Sequence, residues 1–342
     1  MKKRIIQSLK ISTGILISVF IIHILFAFKP SPAKKHIHFD KILGADISFL
    51  PELEAEGHKF YDNGIQKDPI QILKDHGFNY IRLRIFNNPS ADSGYSKKGF
   101  CDLENTKKMA LRIKAAGMGF LLDFHYSDNW ADPGKQYKPA AWKSADYQQL
   151  QDSLRAFTKN TLLALKQQGT LPDMVQVGNE ISHGMLWPDG RLKHLDTLAA
   201  FLKAGVQGVM DIDRSIQIML HIACGGENAE SRYFLDNMLK RDVKFDIIGE
   251  SYYPEWHGPP DSLSRNLTDL NHRYKQDVIV VEYSQHKQAV NDIEFSLPGN
   301  KMKGTFIWEP LNYGEAAFDK KGNANEFMKT YSEISKKYNI TQ

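Results

Sequence analysis

Two glutamates carry the chemical signal in this chain. Glu180 closes the run Met174-Val-Gln-Val-Gly-Asn179-Glu180, and Glu282 closes Val278-Ile-Val-Val-Glu282-Tyr283. Both runs read as short buried strands with a carboxyl group at the end. If parallel strands bring such ends into one mouth, the two carboxylates face each other across a substrate, which is the minimum equipment for cutting a glycosidic bond. The other strand-like runs deliver more polar and aromatic residues at their carboxyl ends: Asp46, Arg82 and Arg84, Asp123 and His125, Asn179, His221, Tyr252 and Tyr253, and Trp308 with Glu309. A lone Asp or His at a strand end means little, because such ends are wet. This many together, above apolar strand interiors, point to an active site.

The chemistry assigns roles. A leaving oxygen must be protonated by a carboxyl group whose pKa is raised by burial and neighbouring negative charge, and Glu180, with Asn179 beside it to hold a sugar hydroxyl, suits that role. Glu282 must stay ionised to attack carbon, and Arg84 is expected to keep it so by charge pairing, with Tyr252 or Tyr253 donating a hydrogen bond. Trp308 is placed to stack on the sugar. Trp130, Trp142, Trp187 and Trp256 follow strands in loops, where an indole is an awkward exposed surface unless it meets a ligand.

The elements that must position these groups follow from periodicity. Eight strand runs (43–49, 80–86, 120–126, 174–180, 216–223, 245–253, 278–283 and 304–309) alternate with helical patterns near 69–76, 104–116, 146–168, 195–211, 228–240, 261–275, 286–296 and 325–338. Strands alternating with helices imply right-handed crossovers and a parallel sheet, and eight repeats predict an α/β fold closed as a (β/α)8 TIM barrel. An open doubly wound sheet would carry a Gly-rich phosphate turn after its first strand, and Leu43-Gly-Ala-Asp46-Ile-Ser-Phe has none.

Composition sets the bounds. The 342 residues are 42% hydrophobic and 25% charged, enough for a sizeable core, and the 19 Phe, 14 Tyr and 5 Trp offer flat faces for sugars as well. Much of the +4 formal charge lies before residue 42, where eight Lys and Arg face only Asp40, so the body is near neutral and has no nucleic-acid footprint. Residues 1–36 read as a signal peptide or an amino-terminal membrane anchor: Met1-Lys-Lys-Arg4, an apolar run of about eighteen residues from Ile11 to Phe28, then Lys29-Pro. Export, to the cell surface or beyond, is expected, with the membrane touched only through that segment, and residues 37–342 form the catalytic domain. Cys101 and Cys224 either pair or stay as two buried thiols, and neither has metal-site spacing.

Several longer motifs sharpen this reading. Gly44-Ala-Asp46-Ile-Ser, Tyr80-Ile-Arg82-Leu-Arg84-Ile-Phe-Asn-Asn-Pro89, the stretch Leu122–Gln136 with Asp123-Phe-His125-Tyr-Ser-Asp-Asn-Trp130, Gln176-Val-Gly-Asn179-Glu180, and Ser251-Tyr-Tyr-Pro-Glu-Trp256-His-Gly258 resemble the endo-β-1,4-galactanases of glycoside hydrolase family 53. The resemblance covers about residues 43–310. It implies hydrolysis with retention, Glu180 as acid/base and Glu282 as nucleophile, and the β-1,4-galactan of pectic side chains, including type I arabinogalactan, as substrate. It implies no cofactor; the calcium some bacterial relatives hold near the last strands is not expected, because residues 284–303 are short and poor in clustered acids. A monomer is expected. The chain departs from the family at Glu282-Tyr283-Ser284, at an extra acid, Glu250, and at Cys224-Gly-Gly226. Two alternatives stay open: a barrel hydrolase for another β-linked glycan such as mannan or glucan, and a catalytically silent surface protein that binds glycan.

Overall fold

The computed structural model describes residues 39–341; the amino-terminal signal or anchor segment lies outside the described residues. Eight parallel strands close into a barrel: β1 (Ile42–Asp46), β2 (Tyr80–Ile85), β3 (Gly119–Phe124), β4 (Met174–Val177), β5 (Gln217–Ile222), β6 (Ile247–Ser251), β7 (Asp277–Tyr283) and β8 (Met302–Trp308), with β8 pairing back onto β1. Eight helices pack outside: α1 (Pro69–Asp75), α2 (Leu103–Ala115), α3 (Tyr147–Gln168), α4 (Leu195–Met210), α5 (Asn228–Lys240), α6 (Pro260–Arg273), α7 (Lys287–Ser296) and α8 (Glu326–Lys337). The predicted TIM barrel is therefore the fold. Among the described residues no helix is long and apolar enough to cross a membrane.

Strand pleating sorts the side chains into two cores. On β2, Ile81, Leu83 and Ile85 face the helices and join the large apolar cluster between barrel and helices. The alternate residues face inward: Tyr80 joins Ile42, Leu121, Met219, Ile279 and Phe306 in an apolar plug in the barrel interior, and Arg82 and Arg84 stand above it. Gly44 makes room for that plug. A Cβ there would lie 2.2 Å from the Phe306 ring, so only a residue without a side chain lets β1 pass so close to a ring on β8.

Local signals start and stop the helices where the sequence places them. Asp146 and Gln149 form a reciprocal capping box at the start of α3, and Gly169, left-handed at φ 80°, ends it. Seven of the eight strand runs read from sequence overshoot at their carboxyl ends. β4 leaves the ladder at Val177 because Gly178 (φ 89°) and Glu180 (φ 47°) adopt left-handed backbone that a strand does not tolerate. Short pieces with too few residues to show a period were not read at all: helix Leu50–Ala55 after β1, hairpins Tyr61–Asp62 with Ile65–Gln66 and Gly184–Met185 with Gly190–Arg191, and helix Pro254–His257 after β6.

Candidate active site

Above the apolar plug the inward positions turn polar, and Arg82 on β2 organises that layer. Its Nη1 donates to Glu282 Oε2 at 2.9 Å and to Asp46 Oδ2 at 3.1 Å, while its Nη2 donates to Asp123 Oδ2 at 2.9 Å and to Asn179 Oδ1 at 2.8 Å. The guanidinium is 1% exposed. Burial alone would lower its pKa, but Asp123, Glu282 and Asp46 outweigh that and hold it raised, so the cation is permanent. A buried charge of this kind is stable only because every partner is present; removing one member of such a set costs about 3–5 kcal/mol.

Glu180 and Glu282 meet across this layer. One oxygen of each, with a ring nitrogen of His221, lie within 4.8 Å of one another, and both glutamates line the same cleft. Their environments differ. Burial and the charge of Glu282 push the Glu180 pKa well up, against a hydroxyl bond from Ser251 Oγ to Glu180 Oε1 at 2.7 Å and a weaker pull from the Arg82 charge. Burial raises Glu282 as well, but there the Arg82 charge and hydrogen bonds from Arg82 and from Tyr253 Oη (2.8 Å to Oε1) work the other way. Glu180 is thus the member that keeps a proton and Glu282 the one that ionises first. The β6–β7 register shift between Glu250 and Ser251 sets Ser251 opposite Glu282 and helps to bring these groups to one height.

The cleft has a volume of about 760 Å³ and is bounded by aromatic rings. Trp130 and Trp308 meet edge to face at 6.1 Å, Tyr313 stands 4.6 Å from Trp308, and Trp256 projects from the other side, 78% exposed. The Arg84 guanidinium lies over Trp130 at 4.3 Å and over Phe49 at 4.5 Å, and its Nη1 donates to Glu309 Oε1 at 2.6 Å. Burial pushes Glu309 up to about 8, against the pull of Arg84. The loop that carries Trp130 is tied to the polar layer: His125 Nδ1 accepts from Ala131 N at 3.1 Å, and Asn179 Nδ2 donates to the Ala131 carbonyl at 2.8 Å. Asp132, Glu227 and Glu230 add acid along the wall.

The structure brings Asp46, Arg84, Asp123, His125, Trp130, Asn179, Glu180, Tyr253, Trp256, Glu282 and Trp308 to one cleft. Tyr252 goes elsewhere: it is fully buried, and its hydroxyl donates to the Gly258 carbonyl at 2.9 Å. Pleating decides between the neighbours, because Tyr253 shares the inward parity of Ser251. The partner of Glu282 is likewise Arg82 rather than Arg84, which stands one layer higher and pairs with Glu309. Trp142 packs against Phe157, and Trp187 is covered by Arg191 at 4.0 Å, so neither lines the cleft. Cys101 and Cys224 are separate buried thiols. Glu250 borders no sugar site; it is buried, accepting from Ser231 Oγ (2.7 Å), Asn266 Nδ2 and Cys224 N. Sequence reasoning missed Arg82 as the organiser, and it quoted Gln176 and Ser251 in motifs without giving either a role. Inward parity was the signal that could have found them.

A (β/α)8 barrel whose strand ends hold two unequal carboxylates in an aromatic-walled, sugar-sized cleft defines a glycoside hydrolase. The profile of glycosyl hydrolase family 53 matches residues 42–302, and the chain belongs to that family. It is 45% identical over 276 residues to a Niallia circulans protein described as "Uncharacterized protein in bgaB 5'region", covering 75% of this chain and 74% of that one. It is 35% identical over 290 residues to a "Probable arabinogalactan endo-beta-1,4-galactanase A" of Neosartorya fischeri, covering 79% and 78%. Among solved structures, the Ignisphaera aggregans GH53 catalytic domain superposes with a TM-score of 0.81 at 31% identity, over 89% of this chain and 98% of that one.

Proposed function

We propose that this enzyme cleaves internal β-1,4-galactosidic bonds of galactan and type I arabinogalactan by double displacement, with Glu180 as acid/base and Glu282 as nucleophile. The observation that carries the mechanism is the approach of a Glu180 oxygen and a Glu282 oxygen to within 4.8 Å. Retention needs carboxyl groups about 5–5.5 Å apart, whereas inversion leaves roughly 6.5–9.5 Å for a water. In the first step Glu282 attacks the anomeric carbon while Glu180 gives its proton to the leaving oxygen. In the second, Glu180 takes a proton from water, which displaces Glu282. Asn179, Asp46, Asp123 and His125 surround the bound sugar, Trp308 and Trp130 supply its stacking faces, and Trp256 meets residues further along the chain. Arg84 Nε and Nη2 are buried with no acceptor among the described residues, so Arg84 acts on the cleft through the Trp130 ring it lies against. The substrate rests on the names of relatives such as the Neosartorya fischeri protein. Export through residues 1–36 suits an enzyme whose polymer is outside the cell.

The test is a product profile on linear β-1,4-galactan with the anomeric proton followed by NMR. Glu282→Ala is expected to abolish cleavage of galactan and of an activated aryl β-galactoside alike. Glu180→Ala should lose galactan but still release the activated phenol, which needs no acid. An α-configured first product, or full activity in either variant, overturns the assignment.

A further inference from the structure

His221 sits fully buried at the inward face of β5, with Nδ1 beside the Glu180 main chain and Nε2 on the serine that bonds the Glu180 carboxyl group. Its Nε2 lies 2.7 Å from Ser251 Oγ, the hydroxyl that donates to Glu180 Oε1 at 2.7 Å. Its Nδ1 lies 3.4 Å from the Glu180 main-chain N–H, which donates to it, and 3.0 Å from Gln176 Nε2. One ring therefore holds the backbone of Glu180, bent into a left-handed conformation at φ 47°, and through Ser251 its carboxyl group.

The hydrogen-bond inventory favours one nitrogen as the carrier of the proton. Burial, with Arg82 and His125 nearby, keeps the ring neutral, so one nitrogen donates and the other accepts. Asn179 Oδ1 stands 3.0 Å from Nδ1 and would accept from it in one tautomer. That tautomer makes Nε2 an acceptor, turns the Ser251 proton away from Glu180 and leaves the buried Glu180 N–H without an acceptor. Asn179 Oδ1 meanwhile already accepts from Arg82 Nη2 at 2.8 Å. With the proton on Nε2 the chain to the carboxyl group closes: Nε2–H donates to Ser251, Ser251 donates to Glu180 Oε1, and Nδ1 accepts from the Glu180 N–H, with Asn179 Oδ1 left as a facing acceptor at 3.0 Å that is held by Arg82 instead.

We propose that His221 is a positioning residue that locks the Ser251 hydroxyl onto Glu180 Oε1, so that the proton Glu180 exchanges with substrate is confined to Oε2. The inference rests on the acid/base reading of Glu180 and adds its control. No proton leaves the His221–Ser251 pair during turnover. The pair holds one oxygen as a permanent acceptor and leaves the other to cycle between O–H and O⁻.

The geometry sets the test. An Asn side chain overlays its amide oxygen on Nδ1 and lacks the distal donor, whereas Gln places an amide N–H near Nε2. The charges facing Glu180, namely Glu282, Asp132 and Arg82, are untouched by either change. In protein labelled with ¹³Cδ-glutamate, the Glu180 titration, assigned with Glu180→Gln, is expected to move up on the order of one pH unit in Ser251→Ala, because a hydrogen bond to the ionised form has been removed. His221→Asn should give the same direction, His221→Gln should restore much of the wild-type value, and His221→Asn should add nothing in the Ser251→Ala background. With substrate, the basic limb of kcat/KM should follow the NMR titration, and the loss should be greater for poor leaving groups than for 2,4-dinitrophenol. Ser251→Ala, a small deletion, keeps the test open if a His221 variant fails to fold. A Glu180 titration unchanged in Ser251→Ala, equal losses for good and poor leaving groups, or additive effects in the double variant each overturn the proposal. The NMR readout needs no substrate, so failure to cleave galactan would sink the functional reading and leave this one decided on its own.

Discussion

Replacing Arg82 by Met deletes the one cation that, among the described residues, touches Glu282. The charges pair through a 2.9 Å hydrogen bond, which puts their centres about 4 Å apart. At an effective dielectric of about 20 that attraction is worth about 4 kcal/mol, or about three pH units on the carboxyl group. The sign follows from the direction: losing a neighbouring positive charge favours the protonated acid, so the Glu282 pKa rises further. With Glu282 as the proposed nucleophile only its ionised form attacks, so the acid limb of kcat/KM on β-1,4-galactan should move up by as much as three units, and activity below the new limb should fall up to about a thousandfold. Reducing-end release across pH, with thermal unfolding monitored in parallel, measures both. Arg82→Lys keeps a charge but not the four-way fork and should shift the limb less, in the same direction. Arg84→Lys, one layer higher and paired with Glu309, should leave the acid limb nearly in place while raising KM. If Arg82→Lys and Arg82→Met fold and keep the wild-type limb, or if the Arg84 variant moves it instead, the assignment of the Glu282 partner is wrong.

Two further outcomes follow from groups around the cleft. Burial pushes Glu250 up to about 8, so the folded state holds a proton that the unfolded chain has released, and this contribution to stability is present below about pH 4.5 and lost as pH rises toward 8. Glu250→Gln should therefore flatten the fall in Tm between pH 5 and 8 without abolishing it, because Glu309 is held up in the same way; an unchanged slope measured by calorimetry would contradict this. Trp256, 78% exposed, should be dispensable for folding: Trp256→Ala is expected to keep Tm within the scatter of surface substitutions, about 0.5 kcal/mol. It should also weaken binding of longer galacto-oligosaccharides by about fivefold, the worth of one ring face, and equal affinity by fluorescence titration would remove Trp256 from the binding surface.

The barrel and the carboxylate pair were legible because each strand is an apolar run that ends abruptly in residues a core does not want. Glu180 and Glu282 stand out for that reason alone. What was not legible depends on parity and depth. Tyr252 and Tyr253 are equivalent in composition, and only pleating separates the one that packs beneath Gly258 from the one that reaches Glu282. Arg82 and Arg84 share parity, so only their height above the Phe306 plug distinguishes the partner of Glu282 from the residue that stacks on Trp130. Ser251 and Gln176 are small or neutral and carry no compositional flag. Trp142 and Trp187 resemble Trp130 in being loop indoles, and the path of a loop leaves no periodic trace.

Around the cleft, carboxyl groups outnumber the two guanidiniums, and Asp132, Glu227 and Glu230 extend that excess outward along the wall. The field at the sugar-sized space is consequently negative before any ligand arrives. A ring that gains positive charge as its glycosidic bond stretches is welcomed there, and so is a protonated nitrogen heterocycle of the same shape, whereas a uronate is turned away at the threshold. Discrimination between neutral and acidic glycans can thus arise from long-range repulsion, without a contact dedicated to it.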